Sequence, residues 1–246
     1  MKTKILALGL AACCFTAPVA AQEVTGNVAL TTDYIFRGVT QTDGGPAISG
    51  GFDVEADGFY VGVWGSSVDF SDATTMELDL YGGYAFSGAG FDWDIGVIYY
   101  AYPDSPSAGG DQNFVEFYGG IGREFGPVAW DAKVSYSPEF YGEIGQAWYL
   151  ETGIGMEVVE GISVDGRIGA SQFDDVPAAD YEDYQVGVSG TVFGNVGWDL
   201  RYHDLSDGGD AQAAEGVWST LALDELRDES LSGIAARTNS GEVEFF

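Results

Sequence analysis

The sequence predicts an all-β fold: a transmembrane antiparallel up-and-down β-barrel of about twelve strands. Three observations lead to this prediction. Apolar and polar residues alternate with a period of two in successive segments, the connections between segments alternate between short and long, and aromatic residues collect near the segment ends. Period-two alternation is typical of strands with one polar and one apolar face. Tight turns at one rim and longer loops at the other are typical of bacterial outer-membrane barrels.

Composition excludes two broad classes of protein. The 246 residues carry 9 Lys and Arg against 39 Asp and Glu, a formal charge of −30, which argues against a nucleic-acid partner. Hydrophobic residues make up 46% of the chain and aromatic residues 14%, which is more than a disordered chain carries. The 37 glycines and the frequent Tyr, Phe, Val and Thr favour strands separated by tight turns.

Residues 1–21 have the three parts of a signal peptide and are predicted to be removed on export. Two lysines precede an apolar run at 5–15, which is too short to span a bilayer as a helix, and small residues precede a cleavage site after Ala21. The sequence around Cys13 also resembles a bacterial lipoprotein processing site, so lipidation at Cys13 is the alternative. Both cysteines of the chain lie in this segment, and the mature protein is therefore expected to have no disulfide.

The rest of the chain divides into strand-like segments joined by connections of two kinds. Very short ones, such as "DG" at 57–58, follow the even-numbered segments up to the tenth, and longer ones rich in Asp, Ser, Gly and Pro follow the others. Segments of this length suit tilted strands that cross about 25 Å of hydrocarbon, with the tight turns facing the periplasm. The segments are 24–37, 46–56, 58–68, 75–86, 90–101, 112–124, 127–136, 146–158, 161–172, 182–193, 195–204 and 213–222. We therefore predict a barrel at 22–222 and, at 223–246, a C-terminal extension or a rearranged closing strand.

The apolar face of these segments indicates that lipid rather than water surrounds the barrel. In "MELDLYGGYAF" (76–86), Met, Leu and Phe alternate with Glu, Asp and Tyr. A water-soluble β-sandwich also alternates, but twelve strands of this length exceed an ordinary sandwich. Aromatic residues near the strand ends suit the two interfaces of a bilayer. Those assigned to the apolar face are Tyr34, Phe36, Tyr84, Phe86, Phe91, Trp130, Tyr136, Trp148, Trp198 and Tyr202.

One stretch, "TTDYIFRGVTQTDGGPAISGGFDV" at 31–54, carries a specific signature. It resembles the start of the TorF family of outer-membrane porins, also called the Gcw_chp domain family. The matching residues are Asp33, Tyr34, Phe36, Arg37, Gly38, Thr40, Gln41, Thr42, Pro46, Ala47, Gly50, Gly51, Phe52 and Asp53. The resemblance continues more loosely through the later strands to the end of the predicted barrel.

The resemblance implies a Gram-negative outer-membrane porin, and we expect a passive channel for small polar solutes without a cofactor. The residues themselves offer neither the spacing of a calcium loop nor a G-x-S-x-G motif, so no metal site and no catalysis are expected. The expected partners are outer-membrane lipid and lipopolysaccharide, the outer-membrane assembly machinery and small polar solutes. The alternative is a non-conducting structural or surface-binding barrel. An outer-membrane phospholipase would need a serine–histidine pair, and His203, the only histidine, is predicted to point into the lumen.

If the apolar face contacts lipid, the opposite face lines the lumen and is strongly acidic. Its thirteen acids and four bases predict a hydrated lumen that admits cations and neutral polar solutes more readily than anions, unless paired side chains fill the interior. Arg37, at the end of the first segment, either fixes strand register through an ion pair or contacts solute at a constriction. The predicted lumen residues are Asp33, Arg37, Asp53, Glu55, Glu77, Asp79, Asp92, Asp94, Glu116, Asp131, Lys133, Glu151, Asp165, Arg167, Asp183, Asp199 and Arg201.

Overall fold

The structure, a computed structural model, describes residues 23–106, 111–193, 196–206 and 216–224. The predicted signal peptide and residues 225–246 of the predicted extension lie outside these ranges. None of the described residues forms a helix long and apolar enough to cross a bilayer.

Strands account for most of the described chain, and two single-turn 3₁₀ helices, Tyr141–Glu143 and Pro177–Ala179, lie in long connections. The strands are β1 (Glu23–Thr31), β2 (Ile35–Phe36), β3 (Val39–Thr40), β4 (Ala47–Ala56), β5 (Phe59–Ser67), β6 (Met76–Gly88), β7 (Phe91–Ala101), β8 (Phe114–Phe125), β9 (Val128–Ser137), β10 (Ala147–Val159), β11 (Ile162–Phe173), β12 (Tyr181–Val192), β13 (Val196–Leu205) and β14 (Gly216–Asp224).

Twelve of these strands, all except β2 and β3, form one closed barrel in which each strand pairs antiparallel with its neighbours. The ring is closed by β1, which pairs with β4 along its whole length and with β14 over Asn27–Thr31. The predicted up-and-down barrel and its strand count are therefore confirmed. Closure matters physically because a barrel leaves no sheet edge unpaired in lipid.

Tight turns lie at one end of the barrel, which we call the turn end, and the long connections lie at the other, the loop end. Two of the turns consist of two residues with positive φ: Asp57 (52°) with Gly58 (82°), and Ala89 (58°) with Gly90 (80°). Positive φ at both central residues is typical of the type I′ turn, whose twist matches that of the flanking strands. The predicted short connections are thus tight hairpins.

The outer surface of the barrel is apolar, as lipid requires. Leu80, Leu150 and Ile154 each expose between 52% and 60% of their surface on the outside, although they are large hydrophobic residues. Aromatic pairs lie on the same face, for example Tyr136 with Trp148, whose ring centroids are 4.5 Å apart. This surface explains how a chain of charge −30 can still belong in a membrane.

The first strand differs from its prediction. It ends at Thr31 rather than at Arg37, and the chain then leaves the barrel wall and folds inwards. As a result Tyr34, which was assigned to the lipid-facing aromatic residues, is buried inside the barrel with 6% exposure. Phe36, assigned to the same face, packs inside against Tyr100 of β7. Period-two alternation continues through the short strand β2, so the pattern alone does not mark where the wall strand ends.

Candidate functional site

The stretch that carries the signature folds into a small hairpin inside the barrel. Strands β2 and β3 pair through Ile35 with Thr40 and through Phe36 with Val39, and the turn between them consists of Arg37 (φ 50°) and Gly38 (φ 80°). We call residues 33–42 the inward hairpin. A side chain at position 38 would have no room, because a Cβ there would lie 2.9 Å from Cβ of Asp183.

The base of the inward hairpin is tied by short polar contacts. Oδ1 of Asp33 accepts hydrogen bonds from the hydroxyl groups of Thr40 (2.6 Å) and Thr42 (2.7 Å). The backbone N–H of Gln41 donates to the carbonyl of Tyr34 at 2.7 Å. The side-chain contacts give the Asp and Thr positions of the signature a structural reason, because they close the base of the loop.

At the tip, Arg37 makes a two-pronged ion pair with Glu116 of β8. Its Nη1 and Nη2 atoms donate to Oε1 and Oε2 at 2.8 and 2.7 Å, and the two side chains are only 8% and 3% exposed. The guanidinium carbon also lies 4.6 Å from the ring centre of Phe36 and 4.2 Å from that of Tyr149. Burial by itself lowers the pKa of Arg37, but the Glu116 carboxylate more than offsets this and the net pKa is raised. Arg37 is therefore a permanent cation, sandwiched between rings and paired with a carboxylate.

The inward hairpin crosses the lumen from one side to the other. It starts between the neighbouring strands β1 and β4, and its tip contacts β8 and β10, which lie opposite them in the ring of twelve. On one flank the Tyr34 hydroxyl donates to Glu77 of β6 at 2.9 Å, and Phe36 packs edge-on against Tyr100 of β7 with ring centroids 5.9 Å apart. On the other flank Gly38 lies against β12 and β13.

Aromatic side chains from other connections and strands fill the loop end around the inward hairpin. Phe70 lies 5.3 Å from Tyr102 and 5.7 Å from Tyr141 between ring centroids, and Phe140 lies 4.6 Å from Phe114. Beside Arg37 a cavity of about 20 Å³ remains, room for about one water molecule. The inward hairpin and these aromatic side chains therefore pack the lumen around Arg37.

Exposure of the inward-facing side chains rises steadily towards the turn end. Along β9 the exposed fraction is 0% for Ser137 and 3% for Ser135, and for the side chains of Lys133 and Asp131 it is 19% and 46%. The lumen is therefore packed at the loop end and open at the turn end. We call this open half the vestibule. It is lined by Asp53, Asp94, Asp131, Lys133, Asp165, Arg167, Asp199 and Arg201.

The bases of the vestibule are all held by carboxylates. Nζ of Lys133 lies 3.0 Å from Glu151, and Arg167 contacts the same Glu151 at 2.9 Å and Asp131 at 3.3 Å. A second group joins Arg201 to Asp165 at 2.5 Å and to Asp199 at 2.9 Å. All of these pairs except Arg201 with Asp199, which lie on the same strand, link neighbouring or next-neighbouring strands. This is the register-fixing role that the sequence left open for Arg37.

Tyrosines line the facing wall; the sequence analysis placed Tyr81 on the polar face but did not name Tyr60 or Tyr118. The Tyr60 hydroxyl donates to Asp94 at 2.7 Å and contacts the hydroxyl of Tyr118, and the Tyr81 hydroxyl donates to Asp53 at 2.5 Å. A usable signal was present, because each tyrosine occupies a position that alternation assigns to the lumen. Tyr149 was also not named, although alternation assigns it to the lumen because its neighbour Trp148 was assigned outwards.

The structure places the predicted lumen residues at three levels. Glu77, Asp79 and Glu116 are buried at the loop end, where Asp79 Oδ1 and Asp33 Oδ2 have no hydrogen-bond partner among the described residues. Arg37 and Asp33 lie inside the barrel but on the inward hairpin, so their predicted place on the first wall strand is wrong. The residues at the exposed turn-end rim are Glu55 and Asp92; those on strand positions between the two ends are Asp53, Asp94, Asp131, Lys133, Glu151, Asp165, Arg167, Asp199 and Arg201. Asp183, the third residue of β12, is buried at the loop end beside Gly38 of the inward hairpin.

We expect the docking of the inward hairpin to strengthen as pH falls, through Asp33. Burial raises the pKa of Asp33 above its usual value of 3.8, against the opposing effect of the threonine hydroxyl groups. A carboxyl with a raised folded-state pKa contributes stability that is present below 3.8 and is lost as pH rises through the raised value. To measure this contribution, the protection of the Gln41 amide against exchange is compared between wild type and Asp33→Asn over a range of pH. A difference that does not change with pH would contradict it.

A closed antiparallel barrel with tight turns at one end, an apolar outer surface and a charged lumen crossed by an inward loop defines a membrane β-barrel of the porin fold. The family with a matching model is described as "Bacterial protein of unknown function (Gcw_chp)", and the match covers residues 16–220. The chain belongs to this family. The Gcw_chp resemblance is thus confirmed, while the TorF name stays a prediction.

Solved structures support the same fold. The KdgM porin superposes with a TM-score of 0.55 at 7% identity, over 82% of this chain and 97% of that one. The NanC porin does so with a TM-score of 0.54 at 6% identity, over 83% and 100%. No curated protein matches the sequence. At these identities the likeness concerns the fold alone.

Proposed function

We propose that the protein is an outer-membrane channel for passive diffusion of small polar solutes, with the inward hairpin as its constriction. The observation that carries this proposal is the vestibule: its charged side chains are partly exposed, and it ends at a hairpin that belongs to no wall strand. Charged groups keep such exposure in a lumen only where water reaches them. A hydrated vestibule closed by a separate hairpin is the arrangement of a channel with a narrow point.

The charge of the lumen supports cation preference. Four bases of the described ranges face the lumen or lie within it, and each is paired with a carboxylate, which leaves the more numerous acids to determine the field. Rings of acidic side chains favour cations over anions in pores. We expect the reversal potential in a salt gradient, measured across a planar bilayer, to indicate cation preference; anion preference would contradict it.

The alternative function, a non-conducting structural barrel, is favoured by one observation: the inward hairpin spans the lumen and leaves a cavity of only about 20 Å³ beside its tip. Liposome swelling with small sugars and amino acids separates the two. Folded protein, recognised by heat-modifiable gel mobility, should accelerate swelling if it is a channel. No swelling from either the wild type or a variant with a shortened hairpin would leave the structural barrel as the function.

A further inference from the structure

The contacts of Arg37 describe a binding pocket as well as an ion pair. Apart from Phe36, the groups around the guanidinium belong to the barrel wall: Glu116 on β8, Tyr100 on β7 and Tyr149 on β10. The pocket is therefore built by strands whose positions do not depend on the inward hairpin. Within it the Tyr100 hydroxyl also contacts Glu116, at 3.4 Å.

The chemistry of this pocket matches one class of ligand. The two carboxylate oxygens of Glu116 lie in line with two parallel N–H groups, 2.8 and 2.7 Å away, a geometry that a planar guanidinium satisfies and a single ammonium does not. The Tyr149 ring faces the guanidinium carbon at 4.2 Å, as in cation–π stacking. Lys133 also lines this cavity, but its ammonium is paired with Glu151, so Glu116 is the carboxylate of the pocket that holds the guanidinium.

We propose that Glu116, Tyr149 and Tyr100 form a binding site for planar cations of the guanidinium class, and that the chain's own Arg37 occupies this site as a tethered ligand. A free cation of this class competes with Arg37 and so releases the tip of the inward hairpin. A tethered ligand acts at an effective concentration in the millimolar range or above, so the free cation binds wild type weakly and binds well only when Arg37 is absent. The consequence for permeation rests on the proposed channel function, whereas the binding site does not.

The test measures binding of methylguanidinium to detergent-solubilised, folded protein by calorimetry. Arg37→Ala is expected to bind at least about tenfold more tightly than wild type, because its site is empty while the wall groups remain. Arg37→Met, which keeps the apolar stem, serves as the second variant if Arg37→Ala does not fold. Arg37→Ala/Glu116→Gln and Arg37→Ala/Tyr149→Leu should each lose the added binding. Methylammonium should bind Arg37→Ala more weakly than methylguanidinium does.

Arg201→Ala is the matched control, since it also empties a site between two carboxylates, Asp165 and Asp199. Its carboxylates are more exposed than Glu116 (30% and 18% against 3%), and we expect little gain in methylguanidinium binding. Equal gains in both variants, or binding to Arg37→Ala that survives Glu116→Gln, would overturn the proposed site. Conductance is recorded in a separate experiment. Methylguanidinium binding without conductance in any variant would reject the channel function and support the binding site. Conductance without methylguanidinium binding would support the channel function and reject the binding site.

Discussion

A variant in which residues 35–40 are replaced by two glycines is expected to conduct ions on the order of tenfold better than the wild type, because it opens the lumen at its narrowest level. The deletion is compatible with the fold. The carbonyl of Tyr34 and the amide of Gln41 are already joined by a 2.7 Å hydrogen bond, so a two-residue turn can connect them. The measurement is single-channel conductance in a planar bilayer.

Replacing the 3₁₀ segment Pro177–Ala179 by glycines provides the control, since this segment lies in the β11–β12 connection and has no buried residues. Its conductance should equal that of wild type. If the shortened hairpin leaves conductance unchanged while the barrel stays folded, solute passes elsewhere and the inward hairpin is not the constriction.

The second large effect is expected from the buried ion pair. Arg37→Ala and Glu116→Ala should each weaken the docking of the inward hairpin by about 3–5 kcal/mol, since either change leaves a buried charge without its partner. The double variant should cost little more than one single change, because no lone charge remains. Amide exchange at Gln41 reports docking, because its N–H is hydrogen-bonded to the carbonyl of Tyr34, whose side chain is anchored to Glu77 of the barrel wall. If the loss of docking free energy in the double variant equals the sum of the two single losses, the two residues do not act as a pair.

The pair of Arg201 with Asp165 serves as the comparison for this cycle. Its side chains are 14% and 30% exposed, against 8% and 3% for Arg37 and Glu116, so solvent screens their charges more strongly. Arg201→Ala and Asp165→Ala should leave the exchange of Gln41 unchanged. An effect of similar size at Gln41 would indicate that the whole barrel, rather than the hairpin, responds to loss of lumen charge.

The signature predicted at 31–54 contains the inward hairpin and most of β4. Asp33, Thr40 and Thr42 tie its base, Arg37 anchors its tip, and Gly38 fits where no side chain can. Further along, Gly50 lies so close to the next strand that a Cβ would come within 2.6 Å of the Asn27 carbonyl oxygen. The signature therefore describes a lumen-crossing element and its attachment to β4. Variants in this element test what it does in a family described as of unknown function.

Sequence alone determined the barrel. Its strand count, the tight turns at one end and the assignment of Glu77 and Asp79 to the lumen all follow from alternation, which is a local property: a side chain's face depends only on its place in the strand. Leu80 is exposed on the outer surface and its neighbour Asp79 is buried in the lumen, as alternation predicts.

The tertiary structure decided what fills the lumen. Arg37 and Glu116 are 79 positions apart, and no local pattern indicates that they meet. Strand β2 alternates just as a wall strand does, so the point at which the chain leaves the wall at Thr31 is invisible in the pattern. It is set by contacts across the barrel, Tyr34 with Glu77 and Arg37 with Glu116, which exist only once twelve strands have closed around them.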